Sequence, residues 1–318
     1  MSNVNAHRAI QLFDEIADQL RQHVIFSDQE DADAITLWIG GTYLMDKWDI
    51  WPKLYIFSPE RECGKTTLLT VIEAFVKKGQ MAGSITPSAL YRIIESSQPT
   101  ICIDEADRFL NQNDELNGII NAGHTRRTAR KILSHKNKEG NWEAVSLSLW
   151  AAQAIAGIGS QSDTLMSRSI KVALRRKALS ETVKKMDFNF FEQQKQVRHR
   201  LELWARDNGK VFANLEVVPP SICSDRAVDN WKPLFQIASS IGGQWLEKVK
   251  AAYKTIEDTR KDQDILSIGV ELLRDISLII EQDAAPEIPC RNLKKALLRL
   301  PETEWLSQIK GGKLLTNG

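Results

Sequence analysis

The chain has 318 residues, 42% hydrophobic and 26% charged, which is the make-up of a globular protein with room for one large domain or two smaller ones and excludes a disordered or collagen-like chain. Lys plus Arg number 42 and Asp plus Glu 41, a net charge of +1, so the chain is no uniformly basic nucleic-acid coat and any nucleic-acid contact must be a local patch. The four cysteines, Cys63, Cys102, Cys223 and Cys290, form no CxxC pair, and no run of about 18 apolar residues occurs, so zinc, a disulfide framework and a membrane span are not expected and the setting reads as cytoplasmic.

Ile10, Phe13, Ile16, Leu20 and Val24 recur at spacings of three and four and predict an amphipathic first helix. A second helix is expected over 31–45. Residues 53–57 are an apolar run stopped by Ser58-Pro59, which suits a buried strand, and 66–77 read as helix. Thr86, Pro87 and Ser88 make a helix start for 89–96. Further apolar strands are expected at 100–103, 151–158 and 169–174, and strands alternating with helices predict a parallel α/β sheet. Beyond Lys177 strands cease, Val218-Pro219-Pro220 reads as a turn, and Ile265, Leu266, Val270, Leu273, Ile276 and Ile280 mark a long helix. The expected organisation is a helical extension (1–46), an α/β core (47–178) and a helical lid region (179–318).

The chemistry concentrates where the first strand meets its helix. Pro59, Glu60, Arg61, Glu62, Cys63, Gly64, Lys65 and Thr66 have the spacing and context of a phosphate-binding loop, GxxxxGK[ST], with Pro59 in place of the first glycine and Thr67 following. Such a loop wraps backbone N–H groups around phosphates at a helix N-terminus. Gly64 permits close backbone approach, Lys65 neutralises the β- and γ-phosphates, and Thr66 ligates Mg²⁺. The strand at 100–103 ends in Asp104-Glu105. Asp104 then belongs to the Mg²⁺ shell and Glu105 polarises the attacking water, unless the two acids only cap the next helix.

Arg168, in Ser167-Arg168-Ser169 just before the last strand, has the place of an arginine finger that reaches a neighbouring subunit's γ-phosphate; the alternative is a structural arginine, with Arg175 and Arg176 weaker candidates. A polar sensor at the tip of the preceding strand is open between Ser160 and Gln161. From 116 to 138 there are six basic residues, Arg126, Arg127, Arg130, Lys131, Lys136 and Lys138, and no acid. The Lys136–Gly140 tip between β-prone flanks reads as a hairpin in the slot where AAA+ and superfamily 3 helicases hold DNA, although a solvated face or a subunit contact fits the same residues. His124 reads as a structural, hydrogen-bonding histidine.

These motifs resemble the uncharacterised-domain family numbered 3631. The resemblance spans 15–315: Leu37, Trp38 and Thr42; Ser58-Pro59-Glu60 with 63–69; 104–107; 121–124; 154–159; 167–170; and most specifically 225–234 with Ile237, Ala238 and 242–245. Members resemble P-loop ATPases of phages and mobile elements found beside primase-like domains, which implies a primase or other replication partner. In the helical region Arg226 stands where AAA+ proteins carry a sensor 2 arginine on the γ-phosphate, the alternative being an ion pair with a nearby acid. Trp305 and 311–315 resemble the start of a winged-helix-like segment, expected here to be incomplete.

The expectation is therefore a P-loop NTPase with an AAA+-like parallel sheet, using ATP and Mg²⁺ in a homo-oligomeric ring, a hexamer being one form such helicases take, and acting on DNA. Two other readings stay open: a nucleotide-gated assembly or antiphage-defence switch that moves no DNA, and a small-molecule kinase, which the Asp-Glu pair argues against.

Overall fold

The computed structural model describes residues 3–110, 113–159, 161–212, 215–220, 224–282 and 289–297. Two helices open the chain, α1 (Asn3–His23) and α2 (Glu30–Gly41). The apolar stripe of α1 is fully buried at Phe13, Ile16 and Leu20. Helix α2 is buried on every face from Asp31 to Gly41. Its last two residues must be glycine for packing: a Cβ on Gly41 would lie 2.0 Å from the Trp51 ring, and one on Gly40 would lie 2.6 Å from Phe13.

The central sheet is built from β1 (Lys53–Ser58), β2 (Gly79–Ala82) and β3 (Thr100–Ile103), with α3 (Lys65–Phe75) and α4 (Pro87–Ser97) between them. Thr86 caps α4 by accepting from the Ala89 N–H, with proline at the first turn as expected. After α5 (Ala106–Phe109) and α6 (Asp114–Ala122) comes an antiparallel hairpin, β4 (Arg130–Lys136) and β5 (Trp142–Ser148). Then β6 (Gln153–Ile158), α7 (Asp163–Ser167) and β7 (Ser169–Ala173) complete the sheet. The five strands are all parallel in the order β2-β3-β6-β1-β7, so β6 lies between the strands that carry the two sequence motifs.

Strand β2 was not foreseen. It is a four-residue edge strand of glycine, glutamine, methionine and alanine with no residue fully buried, so neither an apolar run nor alternation marks it. Gly79 is needed there because a Cβ would meet the Glu73 carbonyl at 2.4 Å.

The chain continues with α8 (Phe190–Gln193), α9 (Lys195–Asn208), α10 (Asp225–Ile241), α11 (Trp245–Gln282) and α12 (Cys290–Leu297). Met1–Ile256 form one compact unit and Glu257–Gly318 a second. The first unit holds the sheet, α1 and α2, and α8–α10 around one hydrophobic core. Helices α1 and α2 contribute side chains to that core, and so do α8, α9 and α10. Trp38 ties α2 to the entry of β1 by donating to the Pro52 carbonyl (2.8 Å), and Trp48 donates to Gln236 of α10 (2.6 Å). None of the described helices is long and apolar enough to cross a membrane. The expected winged-helix-like residues, Trp305 and 311–315, lie outside the described residues, as does Cys223.

Candidate functional site

The loop after β1 closes on α3. Gly64 precedes the helix with φ +86°, a left-handed conformation that favours glycine, and no side chain caps the helix end. The first N–H groups of α3 thus face the loop with no side-chain acceptor, which is the arrangement that binds anions. Lys65 lies within the loop, its ammonium donating to Ser58 Oγ (2.6 Å) and the Glu60 carbonyl (3.1 Å). Ser58 in turn donates to the Glu60 carbonyl (2.5 Å). Pro59, Glu60, Arg61 and Glu62 form the exposed lip, and Cys63 is buried beneath it.

The second motif meets the first here. Thr66 Oγ1 donates to Asp104 Oδ2 at 2.6 Å, across 38 residues of sequence. Asp104 also accepts from the Glu105 N–H through its other oxygen (2.8 Å). Glu105 itself is left-handed, φ +51°, and its carboxylate pairs with Arg108 at 2.5 Å. A cavity of about 460 Å³ opens among these groups, lined by residues of the loop (Arg61 to Thr67), Asp104, Glu105, Asp107, Arg108 and Ile158. Asp107 and Ile158 entered the sequence reading only within the motifs 104–107 and 154–159, without a site role, and Arg108 was not picked out. Asp107 braces the floor by accepting from the Ile158 N–H (3.0 Å), and its place three residues after Asp104 was the available signal.

For Mg²⁺ the donor chemistry fits: a hydroxyl and a carboxylate oxygen stand together where phosphates would arrive, and this ion takes few protein ligands beside substrate oxygens. Among the described residues no cluster of three or more His, Cys, Asp or Glu could hold a metal by itself.

Arg168 is not at this cavity. It precedes β7, and its carbonyl accepts from Lys53 N (3.0 Å) at the opposite end of β1. Six residues of strand separate the two places, roughly 17 Å at the usual rise. Arg226 does not line this cavity either: its guanidinium donates to Ser167 Oγ (3.0 Å), beside Arg168. It sits there because Asn230, one turn on in α10, donates to the Ser167 carbonyl (3.0 Å) and pins the helix to that end of the sheet. His124 completes the group, its Nε2 2.8 Å from Asn230 Oδ1. With the amide nitrogen of Asn230 used on Ser167, the imidazole N–H donates. Burial, first, holds His124 at about 4, with Lys53, Arg168 and Arg226 adding to the depression, so it is neutral and structural as read. Of the two sensor candidates, Gln161 is buried and does not line the cavity, and Ser160 lies outside the described residues.

The hairpin forms as expected. Asn137 accepts from the Glu139 and Asn141 N–H groups through its side chain, and Gly140 takes φ +86° in the turn. One face carries Arg130, Ile132, Lys136 and Trp142, with Ile132 72% and Trp142 68% exposed and the Lys136 ammonium 5.4 Å from the Trp142 ring centre. Lys138 is at the exposed tip. Lys131 is on the other face in an ion pair with Glu115 (2.9 Å), and Arg126 donates to the Asp46 carbonyl (2.7 Å), so these two are partly engaged by the protein. Arg127 is exposed at the hairpin base. Glu95 of α4 accepts from the Ser148 N–H and anchors β5.

Residues 173–317 match the family described as "Protein of unknown function (DUF3631)", and over that segment the resemblance read from the sequence is borne out. No curated protein matches the chain. Among solved structures, the apo C-terminal region of NrS-1 is similar at 14% identity over 86% of this chain and 59% of that one, with a TM-score of 0.36. A second structure of that region matches at 15% identity over 90% of this chain and 60% of that one, also at 0.36. The chain thus spans about three fifths of the length of these structures. The JCV helicase bound to an N-aryl acetamide matches at 14% identity over 67% of this chain and 74% of that one, with a TM-score of 0.26.

Proposed function

We propose that the chain is a Mg²⁺-dependent ATPase of the P-loop, AAA+-like class, acting on DNA as a homo-oligomer. The observation that carries the reading is the 2.6 Å contact of Thr66 with Asp104 at the uncapped start of α3. A hydroxyl, a carboxylate, an ammonium and a helix N-terminus that no side chain caps converge on one cavity, which is the set a nucleoside triphosphate and its metal require. The order of strands supports the same class, since an additional strand, β6, separates β1 from β3.

In this reading Thr66 and Asp104 hold Mg²⁺, which when bound neutralises charge on the phosphates. Lys65 leaves the Glu60 carbonyl for the β- and γ-phosphates, and Glu105 exchanges Arg108 for the attacking water. Arg168, at the far end of β1, acts on the nucleotide of a neighbouring copy. The exposed basic face of the hairpin takes the DNA backbone. A primase or other replication protein is the partner implied by the resemblance.

The test is the rate of ATP hydrolysis with and without single-stranded DNA. Lys65→Ala should abolish nucleotide binding, and Glu105→Gln should bind but hydrolyse about 10²-fold slower or worse. Hydrolysis unaffected by Glu105→Gln would remove the assigned base. Hydrolysis that ignores DNA would move the chain to the nucleotide-gated assembly reading.

A further inference from the structure

The end of the sheet opposite the cavity gathers positive charge that no ion pair among the described residues offsets. Lys53 is 1% exposed, and its ammonium has no hydrogen-bond partner among the described residues. Arg168 follows Ser167 and donates to the Thr164 carbonyl (3.0 Å), Arg226 is bonded to Ser167, and neutral His124 is bonded to Asn230. No described ion pair involves Lys53, Arg168 or Arg226. The charges that bear on Lys53, Arg168 and His124 are all cationic: Arg168 on Lys53, Arg226 on Arg168, and all three on His124.

A fold tolerates a buried lysine under two arginines only at a cost in desolvation and repulsion. An anion arriving at the surface would relieve both at once, through charge-assisted bonds to planar guanidinium groups. The anion cannot come from the chain's own cavity, which lies the length of β1 away and is lined by neither arginine.

We infer that Arg226 and Arg168 form a single two-arginine site, backed by Lys53, for the terminal phosphate of a nucleotide held in the 58–67 loop of a second copy of this chain. This rests on the ATPase reading and extends it: Arg226 serves the neighbour's nucleotide, not its own. Ser167 is the hinge of the pair, because its hydroxyl holds Arg226 and its peptide leads into Arg168. Asn230 positions both by fixing the Ser167 carbonyl.

The experiment is subunit mixing with the full chain. Lys65→Ala keeps the arginines and loses nucleotide; Arg226→Gln keeps the loop and loses the cation. Each alone should hydrolyse ATP at least about 10²-fold slower than the native chain. Mixed, they should recover hydrolysis well above the sum, because a Lys65→Ala copy presents Arg226 to the nucleotide of an Arg226→Gln copy. Arg168→Ala mixed with Lys65→Ala is the parallel arm, and Lys53→Met should be rescued in the same way.

Rescue of Arg168→Ala but not Arg226→Gln would overturn the inference and leave the finger standing. Rescue of neither, with an active native chain, would overturn action in trans altogether. Arg226→Lys guards against misfolding: it should retain more activity than Arg226→Gln at an equal melting temperature. If the site instead held a nucleic-acid phosphate, Arg226→Gln would lower the salt dependence of single-strand binding by about 0.7 in log–log slope. An unchanged slope is expected, and a lowered one would overturn the assignment.

Discussion

Lys53 shows how one side chain reports on a site. Burial pushes its ammonium down to about 7, with Arg168 adding to the effect. The unfolded chain holds this proton up to about pH 10.5, so between these values the unfolded state binds more protons and stability rises with pH. Removing the amine should therefore stabilise the free protein most below pH 7, and the gain should shrink towards pH 10. We expect Lys53→Met to melt several degrees higher than the native chain at pH 6.5 and much closer to it at pH 9.5. Thermal melts across that range check this, and a difference that grows with pH would contradict the burial of a charged lysine. His124 has the same sign in a lower window: held at about 4, it costs stability as pH falls from 6.5 towards 4. At the cavity, Glu105 is held by Arg108 with both side chains at least half exposed, so the pair itself contributes little. Arg108→Ala should shift the melting temperature by no more than about 2–4 degrees, since exposed pairs contribute at most about 1 kcal/mol, while changing the hydrolysis rate by freeing the glutamate.

At the scale of elements, the hairpin β4–β5 makes the sharpest demand. Its outer face places Trp142 over Lys136, with Ile132 and Arg130 along the same side. An aromatic ring beside cations is what stacks a base while the backbone is held. If DNA lies there, Trp142→Ala should weaken single-strand binding by about 1–3 kcal/mol with little change in salt slope. Lys136→Ala with Lys138→Ala should instead reduce the slope by about 1.4. Fluorescence titrations at several salt concentrations separate the two. The packing of α2 makes a different demand: Gly41→Ala must displace Trp51, and overpacking of this kind costs about 1–3 kcal/mol or more, visible in a denaturant melt. Much of this level was legible in the sequence. The strands at 53, 100, 153 and 169, the Thr86-Pro87 helix start and the hairpin follow from apolar runs, capping chemistry and an Asn-Lys-Glu-Gly turn. Strand β2 was not, because an edge strand paired on one side needs no apolar pattern. The burial of α2 was not either, since a helix buried on every face, with Asp31, Asp33 and Thr36 among its buried residues, shows no single apolar stripe.

For the molecule as a whole, legibility ended where contacts span distant segments. The loop at 58–67 and the acids at 104–105 could be read as partners because each carries its own chemistry. Arg226 could not be placed, since contacts between distant segments, among them the bonds of Arg226 and Asn230 to Ser167, bring α10 to the far end of β1. Nor could the packing across 46 be seen, where Trp38, Trp48 and Trp51 join the first helices to the sheet. The same geometry has a consequence for kinetics. In the proposed reading each copy carries its phosphate-binding cavity at the C-terminal ends of β1 and β3 and its cationic site at the N-terminal ends of β1 and β7, so the contact between copies would be head-to-tail and one copy alone would be catalytically incomplete. Specific ATPase activity should then fall as the protein is diluted through its assembly range, while nucleotide affinity, which depends on the loop of one chain, falls far less. Arg168→Ala should remove about 10³-fold or more of the rate at high concentration and abolish the concentration dependence of what remains. Parallel measurements of hydrolysis and of mass in solution, from nanomolar to micromolar chain, decide the matter. A rate per chain that is constant across the monomer-to-oligomer transition would show that each cavity works alone, and the cations beside Ser167 would then need another anion.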